Sequence, residues 1–153
     1  HIVAANAGDA RAVLASRAGT VELTSDHKPG RPDEQARIEA LGGFVVVLGV
    51  PRVNGLLAVS RALGDRELKR YITAQPDVKV HARDGREEFA VLATDGVWDV
   101  FASAEAVAFV CDHWHLPDHG AEGLAREAVR RGSQDNVCAM VVDLRAHGPG
   151  PAQ

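Results

Sequence analysis

The stretch Glu88-Phe89-Ala90-Val91-Leu92-Ala93-Thr94-Asp95-Gly96 decides how this chain is to be read. Its apolar run predicts a strand, and the strand stops on a carboxylate followed by glycine. Glycine permits a sharp backbone turn and a close approach at that point. Strand ends can gather carboxylates from distant parts of a chain without burying an unpaired charge. Two more aspartates fall in comparable places: Asp9, in the turn after the first strand, and Asp135, immediately before the last. Carboxylate oxygens are the hard ligands that Mg²⁺ and Mn²⁺ prefer. An Asp-Gly pair after a strand is also an ordinary turn, and spacing alone leaves both readings open. Asp99 lies four residues after Asp95. If the intervening residues form a helical turn, the two carboxylates share a face and repel unless a cation lies between them.

Outward from this stretch, strand character alternates with turn signals. Ile2–Ala7 and Ala10–Ala15 flank Gly8-Asp9, and Val21–Leu23 follows the Ala18-Gly19 turn. A loop with two prolines, Asp26 to Pro32, leads to a helix from Pro32 to about Leu41, stopped by Gly42-Gly43. Phe44–Val50 is a β-branched run and predicts a buried strand. Asn54-Gly55 is a tight turn, after which Leu56–Val59 resumes apolar character. Val78–His81 and Glu88–Thr94 are strands around an Asp84-Gly85 turn. Ser103 is placed to cap a helix from about Ala104 to Trp114. A second helix, about Ala121–Arg131, ends at Gly132, and Asn136–Leu144 is a final strand. Many strands, a helix pair, then a strand is an α+β order with mostly antiparallel sheet. The Gly- and Pro-rich tail, 147–153, is expected to be disordered.

Composition sets limits. The chain has 153 residues, 46% hydrophobic and 25% charged, as in ordinary globular proteins. A formal charge of −4 argues against a general electrostatic grip on nucleic acid. No apolar run reaches the roughly 18 residues of a membrane span. Cys111 and Cys138 make no disulfide framework and are expected as small buried apolar residues.

The remaining candidates carry weaker signals. His113, His115 and His119 match no HExxH or zinc-module spacing and read as a solvated helix end. Ser60-Arg61 has two readings: arginine forks onto phosphate oxygens, or it pairs with Asp65. There is no GxSxG elbow and no P-loop.

A run of short elements goes further. Ala7-Gly8-Asp9-Ala10-Arg11 resembles the GDSR-type element of type 2C protein phosphatases, the PPM family, and Asp26-His27-Lys28-Pro29 resembles its DHKP element. Arg37-Ile38-Glu39-Ala40, Gly42-Gly43, Arg52-Val53-Asn54-Gly55 and the segment Leu57–Asp65 follow in the family's order. So do Pro76-Asp77-Val78, Leu92–Val100 and Gly132-Ser133-Gln134-Asp135-Asn136-Val137.

The resemblance implies an antiparallel β-sandwich flanked by helices, in α-β-β-α layers. It implies hydrolysis of phosphoserine and phosphothreonine in proteins by a metal-activated water. Two Mg²⁺ or Mn²⁺ ions would lower the pKa of that water and clamp the phosphoryl oxygens. By motif, Asp95 and Asp135 are similar to ligands of the first metal; Asp9 and Asp99, with Asp95, are similar to a third, weaker site. Asp26 to Asp65 resembles the region of the flap that helps select substrates. Plant members acting as hormone co-receptors carry a tryptophan there; the matching position is Leu48. Residues 1–146 thus resemble the C-terminal portion of the domain, incomplete at the N-terminus. The family's DGHGG-type element, with its bridging aspartate and general acid, does not occur in the sequence, so no catalytic residue is assigned within it. The chain alone is therefore expected to be inactive. The expected partner is a phosphoprotein substrate, without nucleic acid or membrane. The complete domain is expected to be monomeric and intracellular, in cytoplasm or nucleus. The alternative is a pseudophosphatase that binds phosphoproteins without turnover.

Overall fold

The computed structural model describes residues 1–145. In chain order they form β1 (Ile2–Asn6), β2 (Arg11–Ser16), β3 (Gly19–Glu22), α1 (Pro32–Ala40), β4 (Val45–Leu48), β5 (Val50–Val53) and β6 (Asp77–His81). Then follow β7 (Glu87–Ala93), α2 (Asp95–Trp98), α3 (Ser103–Asp112), α4 (Ala121–Arg130) and β8 (Ala139–Asp143). The chain divides into two compact units. The first comprises His1–Val3, Arg11–Leu23 and the chain from Val80 onward; the second comprises Ala4–Ala10 and Thr24–Lys79. β1 and β6 form a two-stranded sheet.

The first unit is built on an antiparallel sheet in the order β3-β2-β7-β8. Register puts Val13 opposite Val91, and Val91 opposite Val141. Residues two apart share a face, so Val13, Ala15, Phe89, Val91 and Ala93 form one apolar surface. Ala106 and Val110 of α3, with Leu124 and Ala128 of α4, pack into the same core. Each pair is four apart, one turn of helix. Gly132, at φ +96°, ends α4 as the sequence predicts. Ser103 does not cap α3. It is the first helical residue, and its hydroxyl donates to Glu22 at 2.7 Å. The Glu105 carboxylate instead accepts the Ala102 N–H at 2.8 Å.

Glu87 is buried at the start of β7. Its carboxylate accepts the N–H groups of Asp84 (3.0 Å) and Gly85 (3.1 Å). The Asp84 amide above all, working against burial, holds its pKa down at about 2.

In the second unit α1 starts on Pro32 and turns Glu34 and Ile38 inward. Ile38 joins Val53 and Ile72 in a small apolar core. The run Phe44–Val50 is not a buried strand. Gly49, at φ +74°, folds it into the β4–β5 hairpin, leaving Val47 68% exposed. Asn54 (φ 50°) and Gly55 (φ 76°) make the expected tight turn, with both residues left-handed. The cysteines also differ from expectation: both are exposed, Cys111 on α3 and Cys138 just ahead of β8. Antiparallel sheets with separate helices make the fold α+β. The tail at 147–153 lies outside the described residues.

Candidate functional site

The opening stretch ends at a tightly bonded junction. Beyond the last β7–β8 pair, Thr94 donates its N–H to the Cys138 carbonyl at 3.1 Å. Its hydroxyl accepts the Cys138 N–H and donates to the Asn136 carbonyl, each at 3.1 Å. A Cβ at position 96 would lie 2.4 Å from the Asn136 oxygen, so glycine is needed for this approach. Asp95 and Asp135 each stand one residue from this staple. In both, Oδ1 accepts the N–H of the following residue, at 3.0 Å from Gly96 and 2.6 Å from Asn136. These bonds orient the two carboxylates. α2 is the helical turn anticipated for Asp99: its N–H bonds the Asp95 carbonyl at 2.8 Å. Trp98 pins the turn by donating Nε1–H to the Ala93 carbonyl at 2.8 Å. Three of the four anticipated aspartates therefore come from one junction of the first unit. Asp95 is half-buried, and Asp99 and Asp135 are exposed.

Asp9 belongs to the second unit, where Lys28 Nζ donates to its carboxylate. Arg61 does not pair with Asp65, which sits in a left-handed conformation before a 3₁₀ turn. Its guanidinium bonds Glu34 (2.7 and 3.1 Å), Asp77 (2.7 Å) and the Gln75 carbonyl (3.0 Å). Ser60 is buried and donates its hydroxyl to the His27 carbonyl at 2.9 Å. Both side chains thus have partners within the protein. An open depression of about 390 Å³ lies in the second unit, lined by Leu56, Leu57, Asp65, Arg66, Glu67 and Leu68.

Glu34 was not singled out in the sequence. Burial would raise its pKa, but hydrogen bonds from Arg61 and then Arg37 hold it at about 2. The signal was present, since Glu34 and Ile38 are one helical turn apart on the buried stripe. His27 and Asp77 carry no such periodicity. The helix-end histidines are not simply solvated: His113 stacks on Phe109 (4.1 Å) and His119 on Trp114 (4.0 Å).

The family model for protein phosphatase 2C matches residues 1–137. The chain belongs to this family. It is 47% identical over 142 residues to "Probable protein phosphatase 2C 69" of Arabidopsis thaliana, covering 93% of this chain and 40% of the relative. "Probable protein phosphatase 2C 7" of Oryza sativa is also 47% identical, with 93% and 37% covered. A phosphatase from a pathogenic strain of Toxoplasma gondii superposes with a TM-score of 0.86 at 32% identity, over 94% of this chain and 48% of that one. A C. elegans sex-determining protein gives 0.84 at 31%, over 94% and 36%. The chain thus spans less than half the length of these relatives.

Membership in the protein phosphatase 2C family implies Mg²⁺ or Mn²⁺. By kind, the junction's donors fit: they are carboxylate oxygens at oriented strand ends. By number they are a partial set. Among the described residues, no group of three or more His, Cys, Asp or Glu side chains is gathered closely enough to hold an ion. No helix among them is long and apolar enough to cross a membrane.

Proposed function

We propose that the protein carrying this chain hydrolyses phosphoserine and phosphothreonine in proteins with Mg²⁺ or Mn²⁺, and that residues 1–146 are the C-terminal portion of its catalytic domain. The observation that carries the reading is the Thr94–Gly96 staple to Asn136–Cys138, beside which Asp95 and Asp135 stand oriented. These two aspartates would hold the first ion; Asp99, with Asp95, would contribute to a further, weaker one. When bound, the ions lower the pKa of a water and neutralise phosphoryl charge. The chain's own contribution is geometric. Gly96 lets the strands close, and the amides of Gly96 and Asn136 fix one oxygen of each aspartate.

The test is Mn²⁺-dependent hydrolysis of a phosphopeptide by the full-length protein. Asp95→Asn should lower the rate by more than about 100-fold, since even partners one shell beyond a ligand are worth ~10–100-fold. An unchanged rate means the ligand assignment is wrong. The 153-residue chain alone should show no turnover, and measurable Mn²⁺-dependent turnover by it would overturn its proposed inactivity. Phosphopeptide binding by the full-length protein without phosphate release would point instead to a pseudophosphatase.

A further inference from the structure

The β4–β5 hairpin of the second unit has two unlike edges. Its register sets Val45 against Val53, Val46 against Arg52 and Val47 against Pro51. One step beyond, the Asn54 N–H donates to the Phe44 carbonyl at 2.9 Å. Bonded and non-bonded pairs alternate along an antiparallel ladder. Val46 and Arg52 are therefore a bonded pair, and the N–H and C=O groups of Val45 and Val47 point away from β5. Among the described residues no strand lies on that side, and neither valine makes a backbone bond there.

The β5 edge is closed. Pro51 has no N–H to offer, and Val53 donates its N–H to the Leu57 carbonyl at 2.8 Å. Proline, charge and covering chain are the usual guards of a strand edge, and β4 has none of them. The run Phe44–Val50 contains neither a charged residue nor a proline. Phe44, Val47, Leu48 and Val50 are exposed. Short uncharged β-branched segments of this kind pair readily with their own kind. A two-fold axis at Val46 would set Val45 of one copy against Val47 of the other, and Val46 against Val46. Each Val45–Val47 pair then exchanges both of its free backbone bonds, and only valines meet across the axis. With no charge along the run, self-pairing brings no like charges together. The uncharged edge also has no electrostatic feature that would favour a different chain over a second copy.

We propose that the free edge of β4 is a self-association surface, through which two copies of the protein pair antiparallel about Val46. The pairing does not rest on the phosphatase reading, and it makes the monomer expected from the sequence the dilute form only. A single strand pair buries less than the roughly 1,200 Å² of a stable interface, so association should depend on concentration. Sedimentation velocity of the full-length protein over a wide concentration range should show monomer passing to dimer. Val47 is exposed, so Val47→Lys and Val47→Glu should both fold. The two copies of residue 47 are diagonal neighbours across the axis, within reach of long side chains. Each variant alone should raise the dissociation constant at least about tenfold, and an equimolar mixture of the two should associate again. In the unsubstituted protein, hydrogen exchange at the Val45 and Val47 amides should slow as concentration rises, while the Val46 amide, already bonded to β5, should not change. A protein that stays monomeric with unchanged exchange at Val45 and Val47 overturns the proposal. So does a dimer that persists in both variants, which must use another surface, or a mixture of them that stays monomeric. Protection of Val45 and Val47 that appears only when a phosphoprotein is added would assign the edge to a foreign strand and overturn it equally.

Discussion

The two units hold themselves together by different means. The first has an apolar core of twelve buried residues spread over β2, β7, three helices and Phe101 between α2 and α3. The second has three, Ile38, Val53 and Ile72, and beside them a buried carboxylate ringed by guanidinium groups. Glu34 accepts from Arg61 at 2.7 Å and Arg37 at 2.9 Å, and Arg31 lies 3.7 Å away. The same arginines reach the backbone, Arg37 to the carbonyls of Tyr71 (2.7 Å) and Ser60 (2.8 Å). Apolar burial is non-directional and tolerates small shifts. A network of directed bonds fixes loops in one geometry, and it fails sharply when one member is lost. The second unit is mostly loop and hairpin and uses the second means.

Glu34→Gln should break this comparison most visibly. It removes the buried carboxylate that the part-buried guanidinium groups of Arg61 and Arg37 share, and breaking a buried charge pair costs about 3–5 kcal/mol. Hydrogen exchange should report the loss in α1 and the β4–β5 hairpin, with β2 and β7 keeping their protection. Uniform loss across both units would show that the network is not local. The pH dependence follows from the same group. Its folded pKa, about 2, lies below its ordinary value of 4.5. Its contribution is therefore complete above about pH 4.5 and is lost as pH falls through 2. Glu34→Gln should remove that part of the acid transition.

The two means of cohesion also explain what the sequence disclosed. Where apolar periodicity governs, the elements were legible: β2, β7, α3, α4 and β8 lie where the pattern puts them. Phe44–Val50 misled because an apolar run says nothing about its surroundings, and Gly49 turns it into an exposed hairpin. Of the candidate site, the junction aspartates were visible as strand ends, with Asp95 and Asp99 on one helical turn. The partners of Arg61 were not visible. Glu34 and Asp77 lie 27 and 16 residues from it, and pairing at such separations depends on how the loops close.

Gly96→Ala probes the opposite extreme, a place in the first unit where close approach and not charge sets the geometry. A methyl group there would meet the Asn136 carbonyl oxygen at 2.4 Å, which backbone must move to relieve. Overpacking of this kind costs about 1–3 kcal/mol. Exchange should quicken at the Thr94 and Cys138 amides, whose bonds form the staple. Unchanged protection there would mean that Asp95 and Asp135 do not depend on the strand closure for their orientation.

Ile38→Val gives the smallest effect and the sharpest test of how little the apolar core of the second unit carries. Ile38 is fully buried and contacts Gly43, where an added Cβ would lie 2.9 Å from its side chain. Removing one methylene should cost about 0.5–1.5 kcal/mol. Ile38 and Glu34 occupy successive turns of the same helical stripe, so the two substitutions sample one helix by two forces. The ionic substitution should outweigh the apolar one several-fold in the exchange of α1 amides. Equal effects would mean that the arginine ring merely fills space around Glu34, and that apolar packing holds the second unit as it holds the first.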